Sequence, residues 1–185
     1  MAGPEIVTQR LKLTPFLVGD AEAFFEYRSD AEVYRYQSWA PGSTDDALHF
    51  ITGLQSVAFD TPGTWFQLAV RLRDSDLLMG DLGVHFPADH PRQVEIGFTI
   101  APSHQGRGFG TEAVKGLLGH LFGPLQKHRV FVSVDPRNEA SIALLKRVGM
   151  RQEAHFRQSL WFKGEWVDDL VFGILEPDWR RRSPD

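Results

Sequence analysis

The run Val94-Glu95-Ile96-Gly97-Phe98-Thr99-Ile100 leads through Pro102-Ser103-His104 into Gln105-Gly106-Arg107-Gly108-Phe109-Gly110-Thr111. Its first part reads as a strand. Ala113, Val114, Leu117, Leu118 and Leu121 recur at helical spacing and predict a helix from Glu112 to Phe122. Three alternating glycines therefore stand where a strand becomes a helix. Without Cβ atoms, a backbone there turns tightly and comes close to an anion. Free N–H groups at a helix start, together with the helix dipole, favour phosphate. Arg107 adds positive charge, and no Asp or Glu interrupts residues 103 to 111. A phosphate-bearing ligand is the preferred inference, with a plain glycine-rich turn as the structural alternative. A Walker loop needs a closing Gly-Lys-Ser/Thr, whereas Gly110 is followed by Thr111-Glu112. The dinucleotide fingerprint wants a glycine at position 111, where Thr stands, although Asp135 ends the next strand where a ribose-binding acid would sit.

Working outward, Arg129 to Val134 reads as a compact strand. Asn138 to Val148 reads as a helix closed by Gly149 as a C-cap. Met150 to Leu175 predicts two long strands turning at Lys163-Gly164-Glu165. Upstream, Trp65–Leu72 and Leu77–Phe86 make a hairpin pattern around Arg71–Asp76. Ile6 to Thr14 reads as a first strand ended by Pro15, and Asp20 as the cap of a helix carrying Ala23, Phe24 and Tyr27. Tyr34–Gly42 is aromatic and irregular, and a second helix is expected after Ser43, with Ala47, Leu48, Ile51 and Leu54 on one face. The order is antiparallel meander, strand, glycine turn, helix, strand, helix, hairpin. That predicts an α/β fold, a mixed sheet with one parallel crossover.

At 185 residues, with 42% hydrophobic residues and 14 Phe, one globular domain spanning 1–185 is expected. The formal charge of −4 argues against a general nucleic-acid binder. The basic run Arg180-Arg181-Arg182 reads as a solvated end. With no cysteine, disulfides, thiolate metal sites and a covalent Cys mechanism are excluded. Met1 to Leu13 carries Glu5, Arg10 and Lys12 and lacks an apolar signal core. No stretch reaches about 18 uninterrupted apolar residues. A cytoplasmic protein with no membrane segment is expected.

Gln105-Gly106-Arg107-Gly108-Phe109-Gly110 resembles the Q/R-x-x-G-x-G/A signature of the GNAT superfamily of acetyltransferases. Glu95-Ile96-Gly97-Phe98 before it and Thr111-Glu112-Ala113 after it are similar to many members. Asn138-Glu139-Ala140-Ser141 through Gly149-Met150 resembles the family's downstream helix. Thr8-Gln9-Arg10-Leu11-Lys12-Leu13 and Trp166-Val167-Asp168-Asp169 are similar to the RimJ/RimL branch, so the likeness covers nearly the whole chain.

The resemblance implies a mostly antiparallel sheet with flanking helices and a splayed central parallel strand pair. It implies acetyl-CoA as co-substrate without a metal, and transfer to a primary amine on a small molecule or peptide N-terminus. Pantetheine would add along the backbone of Phe98, Thr99 and Ile100, with the pyrophosphate on the N–H groups of Gln105, Gly106, Arg107, Gly108, Phe109, Gly110 and Thr111. The oxyanion would meet a backbone N–H near Phe98 or Thr99. Asn138 would meet the pantetheine arm, serve as a helix N-cap, or do both.

The acceptor must lose a proton before attack. Glu95 is the candidate base, against the alternative of a solvated or ion-paired carboxylate, and His85 and His104 are runners-up. Leu145 stands where many relatives carry a tyrosine acid. RimJ/RimL-like members instead place a hydroxyl where Ser141 stands, so the resemblance implies Ser141 as the candidate acid or sulfur-binding donor, against the alternative of a helix-start hydroxyl bonded to backbone. Tyr36, Trp39, Trp161 and Asp168 are candidates for the acceptor wall, with Tyr34, Phe162, Trp166 and Asp169 beside them. Dimerisation is common among look-alikes, and nothing in the sequence requires it. A CoA-binding module without transfer activity and a nicotinamide enzyme are the competing readings. Glu95 with Ser141 favours the enzyme over the module.

Overall fold

The computed structural model describes residues 3–182. In chain order the elements are β1 (Ile6–Val7), β2 (Leu11–Pro15), α1 (Ala21–Arg28), α2 (Ala31–Tyr34), α3 (Thr44–Leu54), β3 (Thr64–Leu72), β4 (Leu78–Phe86), β5 (Gln93–Ile100), α4 (Phe109–Phe122), β6 (Arg129–Val134), α5 (Glu139–Val148), β7 (Arg151–Phe162), β8 (Glu165–Leu175) and α6 (Glu176–Arg182). The eight strands form one sheet in the order β1-β2-β3-β4-β5-β6-β8-β7. Only β5 and β6 run parallel; the other neighbours are antiparallel. Among the described residues no helix is long and apolar enough to cross a membrane.

Alternation assigns the two faces. Leu82, Val84, Val94, Ile96, Val130 and Val132 turn to one side, where Val114, Leu117, Leu118 and Leu121 of α4 complete a core with Leu145 and Val148 of α5. On the opposite face Phe24 and Tyr27 of α1 and Ala47 and Ile51 of α3 pack on Ala69, Leu78 and Ala101.

The parallel pair is short. Gln93, Val94 and Glu95 face Arg129, Val130 and Phe131, and there the pairing ends. β5 continues along β4 to Ile100, and β6 continues along β8 to Val134. Each strand thus keeps one ladder and loses the other, which opens a V-shaped gap in the middle of the sheet.

Local sequence accounts for most ends. Ser43 accepts a hydrogen bond from the Asp46 N–H at the start of α3, and Gly149 closes α5 in the left-handed conformation, φ 96°. Lys163 and Gly164, at φ 49° and 87°, make the two-residue turn between β7 and β8.

Three expectations differ from the structure. Ile6–Thr14 is two strands folded on each other, Ile6 opposite Leu13, because the Thr8 hydroxyl and N–H close a turn on Leu11. Asp20 stands before α1 but does not cap it. Its carboxylate turns back to the Leu17 N–H and to the buried Arg71 guanidinium. Helix α4 starts three residues ahead of Glu112, at Phe109, because Gly108 adopts φ 81° and acts as its cap. The terminal arginines are exposed, as expected, and lie on α6, where Arg180 and Arg181 pair with Glu176 and Asp178.

Two polar anchors hold the architecture. Asp81, fully buried in β4, accepts from Arg28 Nη2 (2.5 Å) and Nε (2.9 Å), Tyr27 Oη (2.5 Å) and Gln67 Nε2 (2.5 Å). Burial, then the adjacent Asp81 charge, pushes the Tyr27 phenol well above its ordinary range. Removing the guanidinium with Arg28→Met leaves Asp81 buried and uncompensated. A loss of about 3–5 kcal/mol is expected by denaturant titration.

The second anchor is Glu112, which accepts from Thr8 Oγ1 (2.7 Å), the Arg10 N–H (2.7 Å) and Arg10 Nε (2.6 Å), tying the β1–β2 turn to the first turn of α4. Partial burial opposes its charge, but these donors outweigh that and hold its carboxyl below the ordinary glutamate range. A depressed folded pKa gives stability that is present above about pH 4.3 and lost as pH falls through the folded value. Glu112→Gln is therefore expected to cost about 1–2 kcal/mol at neutral pH, with the melting temperatures of variant and wild type converging in acid.

Candidate active site

The loop before α4 presents an unpaired backbone. The Gln105 N–H bonds the Pro102 carbonyl, and its side-chain amide donates to the Ile100 carbonyl at 2.8 Å. The Glu112 N–H is the first to bond backward, to the Gly108 carbonyl. Between them, among the described residues, the N–H groups of Gly106 to Thr111 bond no backbone carbonyl. Gly106 (φ 72°) and Gly108 (φ 81°) flank Arg107 in left-handed conformation, curling these groups into a concave, anion-seeking nest. Gly110 has a different reason to lack a side chain: a Cβ there would lie 2.8 Å from Leu144 and 3.3 Å from Ile100.

Three arginines surround this mouth. Arg107 lies over the Phe109 ring at 5.3 Å. Arg10 lies over the same ring at 4.5 Å and donates to the Arg107 carbonyl, while Arg147 donates to Thr111 Oγ1. The charges of Arg107 and Arg147 add to the dipole of a 14-residue helix, whereas that of Arg10 is paired with Glu112. Sequence reasoning chose Arg107 alone. Arg10 and Arg147 come from elements distant in the chain, so spacing gave no signal for them.

The gap between β5 and β6 adjoins this loop. Backbone polar groups alternate sides along a strand. The Ile100 carbonyl faces away from β4, since it takes the Gln105 amide, so the groups of Phe98 and Ile96 face the gap with it. Thr99 has the other phase: the next group on its side, the Ala101 N–H, bonds Met79 of the β4 strand. The Thr99 backbone therefore turns to β4, and its buried hydroxyl meets the Gln37 amide at 3.4 Å. Thr99, expected along the cofactor arm, thus turns its backbone away from the gap, and Ile96 turns its backbone into it.

Across the gap, Asn138 caps α5 by accepting from the Ser141 N–H at 3.1 Å. Asn138 and Ser141 both line a cavity of about 400 Å³ that opens from the gap. Among the described residues the Ser141 hydroxyl has no hydrogen-bonding partner in the protein, so it is not spent on backbone.

Glu95 lines the same cavity, at the last residue of the parallel pairing. A cross-strand row holds it: Trp65 opposite His85, and His85 opposite Glu95. The Trp65 ring stacks on His85, centroids 4.9 Å apart at 15°. His85 Nδ1 lies 3.5 Å from Glu95 Oε2, too long for a normal hydrogen bond, and has no other partner. His104 stays in the turn before the glycine loop and does not line the cavity.

Of the acceptor-wall candidates, Tyr36 and Asp168 line the cavity and Trp39 and Trp161 do not. Trp39 packs on Phe50 of α3, centroids 5.0 Å apart. Trp161 pairs edge-on with Trp166 outside the cavity. The Tyr36 hydroxyl reaches the Arg137 carbonyl at 3.0 Å, and Lys163 reaches the Tyr34 carbonyl at 2.5 Å, so the rim is tied from both sides. Asp168 is engaged: Oδ2 meets His155 Nε2 at 2.6 Å and Oδ1 accepts the Gln158 N–H. The Gln158 N–H bond, then His155, holds its carboxyl below the ordinary range. Trp65, Gln37 and Asp169 line the cavity as well. Trp65 and Gln37 went unnoticed in the sequence, where each is one aromatic or polar residue among many.

The comparisons agree with this geometry. The model of an acetyltransferase (GNAT) domain matches residues 10–151. An uncharacterized N-acetyltransferase, YnaD of Bacillus subtilis, is 30% identical over 94% of this chain and 98% of its own length. The crystal structure of a GNAT-family acetyltransferase from Bacillus anthracis superposes with a TM-score of 0.84 at 26% identity, covering 94% of this chain and 99% of that one. Mycobacterium smegmatis RimJ in complex with CoA-disulfide gives 0.76 at 26% identity, over 100% and 89%. A glycine nest at a helix mouth, beside a splayed parallel pair, thus comes with a matching sequence profile and matching folds: the chain belongs to the GNAT family of acetyl-CoA-dependent N-acetyltransferases.

Proposed function

We propose that residues 1–185 act as one catalytic domain that moves the acetyl group of acetyl-CoA directly onto a primary amine while both substrates are bound. The observation that carries this reading is the run of N–H groups from Gly106 to Thr111, free of backbone partners, beside a gap that has Glu95 on one bank and Ser141 on the other. The nest and its arginines suit a pyrophosphate. The Ile96 and Phe98 groups suit an amide-bearing arm laid along β5 as an added strand.

A lysine-like amine has a pKa of about 10.4 and an α-amine about 8, so either arrives protonated. Glu95 takes that proton, directly or through one water. The neutral nitrogen attacks the thioester carbon, the C–S bond breaks, and the nitrogen's remaining extra proton passes to the departing thiolate, to which the Ser141 hydroxyl donates a hydrogen bond. A backbone N–H of the open strand edge near Phe98 stabilises the oxyanion. Thiolate is a good leaving group, so Ser141 contributes less than Glu95.

Two variants test the halves of this reading. Gly108→Asp puts a side chain at φ 81° and a negative charge against the pyrophosphate. Acetyl-CoA binding by calorimetry is expected to vanish, and unchanged affinity would refute the placement. Glu95→Gln is expected to lower kcat by about 100-fold and move the pH–rate profile upward, toward the amine's own ionisation, with cofactor affinity intact. An unaltered rate in a thiol-release assay would make Glu95 structural.

A further inference from the structure

Among the described residues three carboxylate side chains are at most 9% exposed: Asp20, Asp81 and Asp169. Asp20 is paired with Arg71 and Asp81 with Arg28. Asp169 has no cationic partner among the described residues. Its Oδ1 accepts the Ser133 hydroxyl at 2.6 Å, and its Oδ2 has no donor. Burying a carboxylate is costly unless it is paired, and this one lines the cavity described above.

No lysine, arginine or histidine lines that cavity, although four carboxylates do. Two of them are paired already, Asp135 with Arg137 and Asp168 with His155, and Glu95 is the base proposed above. Asp169 is left with one oxygen free and no charge to meet it.

We propose that Asp169 holds a second cationic group of the acceptor, so that the preferred substrates are primary amines carrying another protonated nitrogen. This rests on the acetyltransferase reading of the same cavity. The sheet register sets the span. Glu95 stands level with Phe131, and Phe131 with Gly173. Asp169 lies four residues from Gly173 along β8, on the same face. Two strand spacings across and four residues along put the Glu95 and Asp169 Cα atoms roughly 16 Å apart. An elongated acceptor meets both carboxylates, with Tyr36, Leu160 and Phe162 beside its apolar middle.

The test uses two matched pairs: hexane-1,6-diamine against hexylamine, and a tripeptide amide with lysine second against the same peptide with norleucine there. Wild type is expected to favour the dication of at least one pair by about tenfold or more in kcat/KM. The pair that responds distinguishes a free diamine from a peptide amino terminus. Asp169→Asn, nearly isosteric and able to keep the Ser133 contact, is expected to collapse that preference to about threefold or less through KM. Acetyl-CoA affinity of the same preparation checks its fold. Equal rates within both pairs, or a preference that survives Asp169→Asn, overturns the proposal.

Calorimetry with hexane-1,6-diamine and hexylamine supplies a readout apart from turnover. Dication binding lost in Asp169→Asn, with no thiol release for any amine, upholds the anchor and sinks the transfer reading. Thiol release without discrimination does the reverse.

Discussion

Two strands that begin as parallel neighbours part after Glu95 and Phe131, and the remainder of the site exists because they do. A continued ladder would satisfy the backbone groups of Ile96 and Phe98 within the sheet and close the space where Asn138, Ser141 and Glu95 meet. Parting costs hydrogen bonds in the centre of a fold, where unpaired polar groups are expensive. The structure limits that cost by keeping each strand fully laddered on its outer side, β5 on β4 and β6 on β8. The gap is wedged by packing from the helix face: Leu144 of α5 and Ile100 of β5 both crowd Gly110 of α4. A side chain at 110 would push those elements apart. The third glycine of the loop therefore shapes the gap, while Gly106 and Gly108 shape the nest.

The same principle organises the buried charges. Arg28 joins helix α1 to the middle of β4 through Asp81, and its remaining Nη1 donates to the Gln37 side-chain oxygen Oε1 at 2.9 Å. Gln37 lines the cavity and reaches Thr99. A structural ion pair thus continues, through one amide, into the wall of the cavity. Asp20 and Arg71 do a purely structural version of this nearer the sheet edge. Asp169 differs from both, and its difference has meaning only because the others are so completely paired.

Much of the fold was legible in the sequence because its decisive signals are local. Strand, glycine turn and helix follow one another in fewer than 30 residues, and the Asn138 and Gly149 caps bracket α5 without help from elsewhere. Two of the misreadings have a common origin: a tertiary partner overrode a local rule. Asp20 looks like a helix cap, but Arg71, 51 residues away, claims its carboxylate. Ile6–Thr14 alternates as one strand, but a Thr8 turn held by Glu112, 104 residues away, folds it in two. Phe109 was placed in the loop because it precedes Glu112. The left-handed Gly108 makes it the first helical residue and gives Arg10 and Arg107 a ring to cover.

The candidate site divides along the same line. Its glycine nest is a contiguous segment, so composition and spacing point to it, whereas Arg10, Arg147 and the phase of Thr99 follow only from tertiary structure. Its acceptor side gathers Tyr36, Trp65, Glu95, Ser133, Leu160 and Asp169 from six separate stretches, and no periodicity links them. Aromatic content drew Trp39 and Trp161 into the expected wall, yet an exposed tryptophan finds apolar contact as readily on Phe50 or Trp166. Side-chain type says which residues are able to bind an amine. Only the sheet register says that Asp169 shares a face with Glu95, and only the pairing of Asp168 with His155 separates two adjacent aspartates into one engaged and one free.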